Sequence, residues 1–311
     1  MSDRPVVVYL TGWCRSGTTL IGNLIGELPG AVHVGELRYL WRHGVLGDGT
    51  NDTCGCGTRV ADCPLWSAVL RRLGAPDGVP DLLARQERLL RTRHVGARLA
   101  AGPDTTAARA DLERLYDAIA AESGARIIVD SGKYPAEAAA LCGSDRVTPY
   151  VLHVLRDPRA IAESWRRPKS YIPAMPAWRS TAYWVAFQQA SARVGRAYPD
   201  RYRRLRYEDF AAAPADTLGA VLADWGLAAA APVTADGTAV LSPNHTVTGN
   251  PDRLRTGPVV IRPDERWRTT APRATRYVAG LIAAPWLHRY GYRLTGGGPT
   301  ARRDTDAPVP R

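Results

Sequence analysis

Val6-Val7-Val8-Tyr9-Leu10 is an unbroken apolar run of the kind a buried parallel strand makes, and the residues that follow it restrict the fold most. The run enters Gly12-Trp13-Cys14-Arg15-Ser16-Gly17-Thr18-Thr19, after which Leu20, Ile21, Leu24, Ile25 and Leu28 recur at helical spacing. A strand, a glycine-bounded loop and a hydroxyl-rich helix start form an anion cradle. Backbone N–H groups converge there, and the helix dipole favours negative charge. Gly12 and Gly17 have the spacing of a nucleotide-binding P-loop, G-x-x-x-x-G-K-[ST]. Thr18 stands where the lysine belongs, and the cation is Arg15, inside the loop. Ordinary magnesium-nucleotide chemistry is therefore disfavoured, while a guanidinium fork still holds two anionic oxygens at once. A tight turn carrying a chance arginine is the plainer alternative.

Strand patterns over residues 31–34, 126–130 and 150–155, and a short strand candidate over 202–207, alternate with helical patterns. That alternation predicts an α/β fold, a doubly wound parallel sheet with a P-loop-like loop. Amphipathic helices predicted over residues 81–100 and 111–122 form a helical insert, about 75–123, within one domain spanning 1–295. Residues 244–263 read as irregular, 270–290 as a final helix and 296–311 as a disordered tail. In such folds ligands bind beyond the carboxyl ends of the strands. Arg15, Glu36, Lys133 and Arg156 all stand just past the ends of predicted strands.

With 311 residues the chain can bury a full core, and its formal charge of +11 suits an anionic ligand. Only Lys133 and Lys169 are lysines, so arginine carries the charge, and no basic run is dense enough to argue for nucleic acid. No stretch approaches the ~20 apolar residues of a membrane span. The first strand leaves no room for a signal peptide, and five cysteines, an odd number, make no disulfide framework. These features predict a cytoplasmic protein.

Several segments in order resemble the sulfotransferases that use 3′-phosphoadenosine 5′-phosphosulfate (PAPS) as co-substrate. Cys14-Arg15-Ser16-Gly17-Thr18-Thr19 resembles their 5′-phosphosulfate loop. Leu155-Arg156-Asp157-Pro158-Arg159-Ala160-Ile161-Ala162-Glu163-Ser164 resembles their 3′-phosphate motif, in which Arg156 and Ser164 would hold the phosphate. Arg206-Tyr207-Glu208-Asp209 and Gly249-Asn250-Pro251-Asp252-Arg253 also look like family segments. They imply Tyr207 against the adenine and Asn250 and Arg253 near the nucleotide. The closer likeness is to a bacterial branch akin to tyrosylprotein and carbohydrate enzymes. Gly35-Glu36 and Asp130-Ser131-Gly132-Lys133 match the segments carrying their catalytic glutamate and lysine. The histidine base and loop lysine of the cytosolic small-molecule enzymes are not matched.

The chemistry is coherent with that resemblance. Sulfuryl transfer needs a base for the acceptor and cations for the departing phosphate. Glu36 would be the base, and Arg15, Lys133 and Thr18 or Thr19 would stabilise charge. The sulfuryl group carries less charge than a terminal phosphoryl, so no metal is required. A helix-capping carboxylate is the plainer alternative for Glu36. His33 and His153, in predicted strands, read as structural. Trp178, Tyr183 and Trp184 are candidate walls of the acceptor pocket, with the insert. The acceptor would be a small molecule or carbohydrate. A P-loop kinase and a non-catalytic nucleotide- or polyanion-binding protein are the competing readings. Cys54-x-Cys56 with Cys63 offers three sulfurs, and no neighbouring Cys or His completes a standard zinc set. A similar cysteine-rich turn occurs in related bacterial sulfotransferases, so it reads as a loop staple of open redox state.

Overall fold

The computed structural model describes residues 4–48, 51–74, 78–169 and 172–293. Val7, Val8, Tyr9 and Leu10 are wholly buried because their strand lies at the centre of a sheet. The first half of the chain runs β1 (Val6–Thr11), α1 (Thr18–Gly26), β2 (Ala31–Gly35), α2 (Pro64–Leu73), α3 (Val79–Leu89), α4 (Val95–Leu99), α5 (Pro103–Ser123), β3 (Ile127–Lys133), α6 (Pro135–Cys142) and β4 (Thr148–Leu155). The second half runs α7 (Pro158–Arg166), α8 (Ala177–Ala197), β5 (Tyr202–Arg206), α9 (Tyr207–Ala212), α10 (Pro214–Asp224), β6 (Thr238–Leu241), β7 (Gly257–Val260), α11 (Trp267–Thr270) and α12 (Arg273–Arg289). The five-stranded sheet has the order β2-β3-β1-β4-β5, and every pairing is parallel.

Strand alternation splits the core between two faces. Val7 and Tyr9 pack with Ile128, Val151, Leu112 and Ile119 on one side. Val8 and Leu10 pack with Ile21, Leu24, Phe210 and Leu222 on the other. The chain is thus an α/β protein whose parallel sheet is covered on both faces. β1, flanked by β3 and β4, sits where the strand order reverses, so the crevice for a ligand opens at its carboxyl end.

Three local expectations are corrected. The helix predicted over 81–100 is two helices, because Leu90 leaves the helical conformation and Arg38 donates to the carbonyls of Gln86 (3.4 Å) and Leu90 (3.2 Å) at the break. The helix predicted over 111–122 starts earlier, at Pro103, where the missing N–H of proline costs nothing in a first turn. The segment 244–263 is not wholly irregular, since β7 pairs antiparallel with β6. The tail expected over 296–311 lies outside the described residues. Among the described residues, no helix is long and apolar enough to cross a membrane.

Beneath the helices between β2 and β3 lies a buried polar network with a pH signature. Asp130 accepts from the Tyr116 hydroxyl and the Gly132 N–H, each at 2.7 Å. Glu137 accepts from Tyr9 (2.7 Å) and from Arg38 (2.8 Å). Burial, and then the charge of Glu137, push Asp130 from its ordinary 3.8 up to about 7. A carboxyl raised on folding stabilises the fold below its unfolded pKa, and that contribution is lost as pH rises through the folded value. Relative to an Asp130→Asn variant, the chain should therefore gain stability as pH falls from about 7 to about 4. Urea unfolding of both proteins across that window measures it, and a constant difference would remove the proposed titration.

Candidate active site

The loop after β1 is held by strained and closely packed backbone. Gly17 caps α1 in the left-handed region (φ 92°), and a Cβ there would lie 2.6 Å from the Tyr207 ring. Glycine is required on both counts. Thr18 and Thr19 open α1, whose first-turn N–H groups have no partners within the helix. Ser16 is wholly buried and donates to the Trp13 carbonyl at 2.7 Å, so it braces the loop from inside and does not line the cleft. The Arg15 guanidinium lies 5.4 Å from the centre of the Trp165 ring.

A cleft of about 770 Å³ opens at the carboxyl ends of the central strands. Cys14, Arg15, Gly17, Thr18, Thr19, Glu36, Lys133, Arg156, Ser164, Tyr207 and Asn250 line it together, although they are scattered from one end of the sheet to the other in sequence. Glu36 and Lys133 form a short ion pair in its wall, and both are buried. Lys133 also donates to the Ser131 carbonyl at 3.3 Å. Burial pulls the Lys133 ammonium down, but Glu36 and then Cys14 outweigh it, and the net direction is upward. Lys133 therefore stays a cation through the neutral range. Burial raises the Cys14 thiol even though Lys133 opposes it.

Among the described residues, Arg15 (φ 74°), Lys133 (φ 72°) and Thr248 (φ 53°) are the non-glycine residues with positive φ. All three line this cleft. Strained backbone of this kind collects where a side chain must be aimed. Thr248 and Gly249 belong to a segment that joins the end of β2, where Val247 bonds to Val34 and Glu36 through backbone contacts of 2.9 Å each. Gly249 (φ 119°) passes so near that a Cβ would lie 2.8 Å from Glu36 Oε1.

At the far side of the cleft, Arg156 donates to Asp264 at 3.0 Å and to the Arg15 carbonyl at 3.0 Å. Its guanidinium stacks 4.6 Å from the centre of the Tyr207 ring. Burial raises the Tyr207 phenol, against the opposing charge of Arg156. Asp264 is drawn below the usual carboxylate range: burial acts upward, but Arg266 and Arg156 together prevail. Arg253 does not join this group. It is buried and donates to the carbonyls of Thr246 (3.0 Å) and Thr53 (2.6 Å) and to Asn51 (3.0 Å). The expectation that it contacts the nucleotide is corrected: it ties loops together behind the cleft wall.

A second cavity of about 740 Å³ adjoins, with Tyr39 on both walls. Trp13, Tyr134, Tyr183 and Phe187 face it, and α3 supplies Leu83 and Gln86. Of the three aromatic candidates, Tyr183 alone lines this cavity. Trp184 is wholly buried and donates to the Arg156 carbonyl at 3.0 Å, while Trp178 is 58% exposed. The turn of α8 explains the difference, since neighbouring helical residues point about 100° apart. His33 is buried between Asn23 (2.8 Å) and Ser131 (3.2 Å), and burial, helped by Lys133, lowers it to about 3. His153 bonds Tyr202 and Gln188. Both histidines are structural.

Sequence reasoning passed over several wall residues. Lys169 lines the cleft, so the two lysines of the chain share one site. Rarity among so many arginines was a signal for it as well as for Lys133. Asp264, Asn51 and Thr248 reach the cleft through tertiary contacts and carry no local signal. The expectation that no fourth ligand accompanies the three cysteines is also corrected, because His245 Nδ1 lies 3.3 Å from Cys63 Sγ.

Residues 5–231 match the family model described as "Sulfotransferase family". The fold is similar to a sulfotransferase domain from the Synechococcus PCC 7002 olefin synthase, at 20% identity and TM-score 0.53 over 92% of this chain and 96% of that one. It is also similar to a sulfotransferase domain from the curacin biosynthetic pathway, at 14% identity and TM-score 0.51 over 94% and 99% of the respective chains. Among curated proteins no match is found.

Proposed function

The chain belongs to the sulfotransferase family, and from that premise we propose that it moves the sulfuryl group of PAPS to a hydroxyl or amine of a small-molecule or carbohydrate acceptor, with Glu36 as general base. One observation carries this reading: the buried Glu36–Lys133 pair shares a cleft with the loop cation Arg15. A carboxylate and two cations at a helix N-terminus are what transfer from an anionic donor requires.

The residues present suit the donor. Arg15, Thr18, Thr19 and the first-turn N–H groups would hold its 5′-phosphosulfate. Arg156 and Ser164 would hold the 3′-phosphate, with Tyr207 against the base and Asn250 closing the wall. When bound, PAPS supplies a sulfuryl group attached to phosphate through a weak S–O bond. Glu36 takes the proton that the acceptor oxygen loses. Lys133 and Arg15 offset the negative charge that collects on the departing phosphate oxygen. Lys133 pairs with Glu36 through Oε1, so the second carboxylate oxygen would take the acceptor's proton. The aromatic cavity beside Tyr39 suits an acceptor with a sugar, phenol or apolar body.

Calorimetry separates this reading from a kinase-like phosphotransferase and from a non-catalytic polyanion binder. Without added metal, 3′-phosphoadenosine 5′-phosphate should bind roughly tenfold or more tightly than AMP, the worth of charged hydrogen bonds to one extra phosphate. Tighter binding of Mg-ATP would favour the kinase. Equal binding of unrelated polyanions would favour the binder.

A further inference from the structure

We propose that Cys54, Cys56, Cys63 and His245 hold a structural zinc ion that staples one wall of the cleft. Their four ligand atoms all lie within 4.8 Å of one another. The sulfur of Cys63 is 3.6 Å from that of Cys54 and 3.7 Å from that of Cys56. His245 Nδ1 is 3.3 Å from Cys63 Sγ and 3.8 Å from Cys54 Sγ. Zinc with Zn–S near 2.3 Å and Zn–N near 2.0–2.1 Å, in tetrahedral geometry, demands S···S edges of about 3.8 Å and S···N edges of about 3.6 Å. The four measured edges lie close to those lengths. Disulfide bonding fits less well, since bonded sulfurs stand about 2.05 Å apart and three cysteines cannot all pair. A disulfide would also leave the imidazole with nothing to do, whereas a metal uses all four groups.

The surroundings support a closed site. Cys54 and Cys56 lie on a tight turn bracketed by the Thr53–Arg59 bridge. Cys63 stands at the N-cap position of α2 and is wholly buried. His245 is fixed from behind, because Trp66 donates its indole N–H to the His245 carbonyl at 2.9 Å. Three thiolates and a neutral imidazole around a divalent ion leave one net negative charge. Arg253, bonded to the Thr53 carbonyl next to Cys54, offsets it. With four protein ligands no coordination position is left open, so the site is structural and takes no part in group transfer.

Its position gives it a task. Gly55 N–H bonds to the Thr246 carbonyl at 2.9 Å, and the next residue, Val247, joins β2 beside Glu36. The ion thus ties the cysteine turn to the segment that presents Thr248, Gly249 and Asn250 to the cleft. In chain purified without chelator, elemental analysis should find about one zinc per chain. His245→Ala and Cys56→Ser should each lose it, and Cys142→Ala should keep it. In the unaltered protein, a mercurial that caps thiols should release the zinc stoichiometrically, a readout independent of whether any variant folds. Removing the zinc should speed amide hydrogen exchange across residues 244–250. A zinc-free chain, a disulfide between two of the three cysteines, or full zinc retention in both ligand variants would overturn the proposal.

Discussion

Glu36→Gln is expected to lower kcat for sulfuryl transfer by ~10²–10⁴-fold, the range a positioned general base supplies. Affinity for 3′-phosphoadenosine 5′-phosphate should hardly change. Glutamine keeps the volume and an acceptor oxygen for Lys133, so the side chain still fills the space beside Gly249. What it loses is the ability to accept the acceptor's proton. The two effects should separate if, as proposed, Glu36 serves the acceptor while Arg15, Arg156 and the helix start hold the nucleotide. Glutamine is a better test than alanine here. Truncation would leave the buried Lys133 ammonium without its partner, and an unpaired buried charge costs about 3–5 kcal/mol. Steady-state kinetics and calorimetry on the same protein decide it. Unchanged kcat would make Glu36 a partner that only orients Lys133.

The parts of this site that were legible in the sequence are those fixed by local rules. The loop from Gly12 to Thr19 declares itself because an apolar strand, two glycines and a helix start occur within one short stretch. Glu36, Lys133 and Arg156 declare themselves because polar residues at or just past the ends of strands end up beside one another in a parallel sheet. Lys133 carries the added signal of rarity, a signal that went unread at Lys169, which lines the same cleft. What could not be read depends on contacts between distant residues. Thr248 becomes cleft wall only because Val247 pairs with the end of β2. His245 reaches Cys63 across 182 residues of sequence, so spacing rules for metal ligands had no purchase on it. The separate fates of Tyr183 and Trp184 turn on the rotation of α8 about its axis. That rotation is set by what α8 packs against, namely α7, α12 and the Trp13 cluster.

Arg156→Ala should act mainly on binding, weakening 3′-phosphoadenosine 5′-phosphate by roughly 10- to 100-fold at constant pH and salt, as expected when charged hydrogen bonds worth about 1.5–3 kcal/mol are lost. AMP, which has no 3′-phosphate, should lose much less. The structure adds a companion test of opposite sign. Asp264 pairs with Arg156 at 3.0 Å and with Arg266 at 3.1 Å, so a carboxylate holds the guanidinium where the phosphate would bind. An entering phosphate must share Arg156 with that carboxylate and meets its repulsion. Asp264→Asn keeps a side chain able to hydrogen-bond the guanidinium while removing the like charge. It should therefore tighten the 3′-phosphorylated nucleotide and leave AMP nearly unaffected. Salt provides a further check, because the gain should shrink as ionic strength rises. If Arg156→Ala weakens both nucleotides equally, Arg156 supports the loop through the Arg15 carbonyl and does not read the 3′-phosphate. If Asp264→Asn weakens the phosphorylated nucleotide, the carboxylate is needed to aim Arg156, and its orienting role outweighs its repulsion.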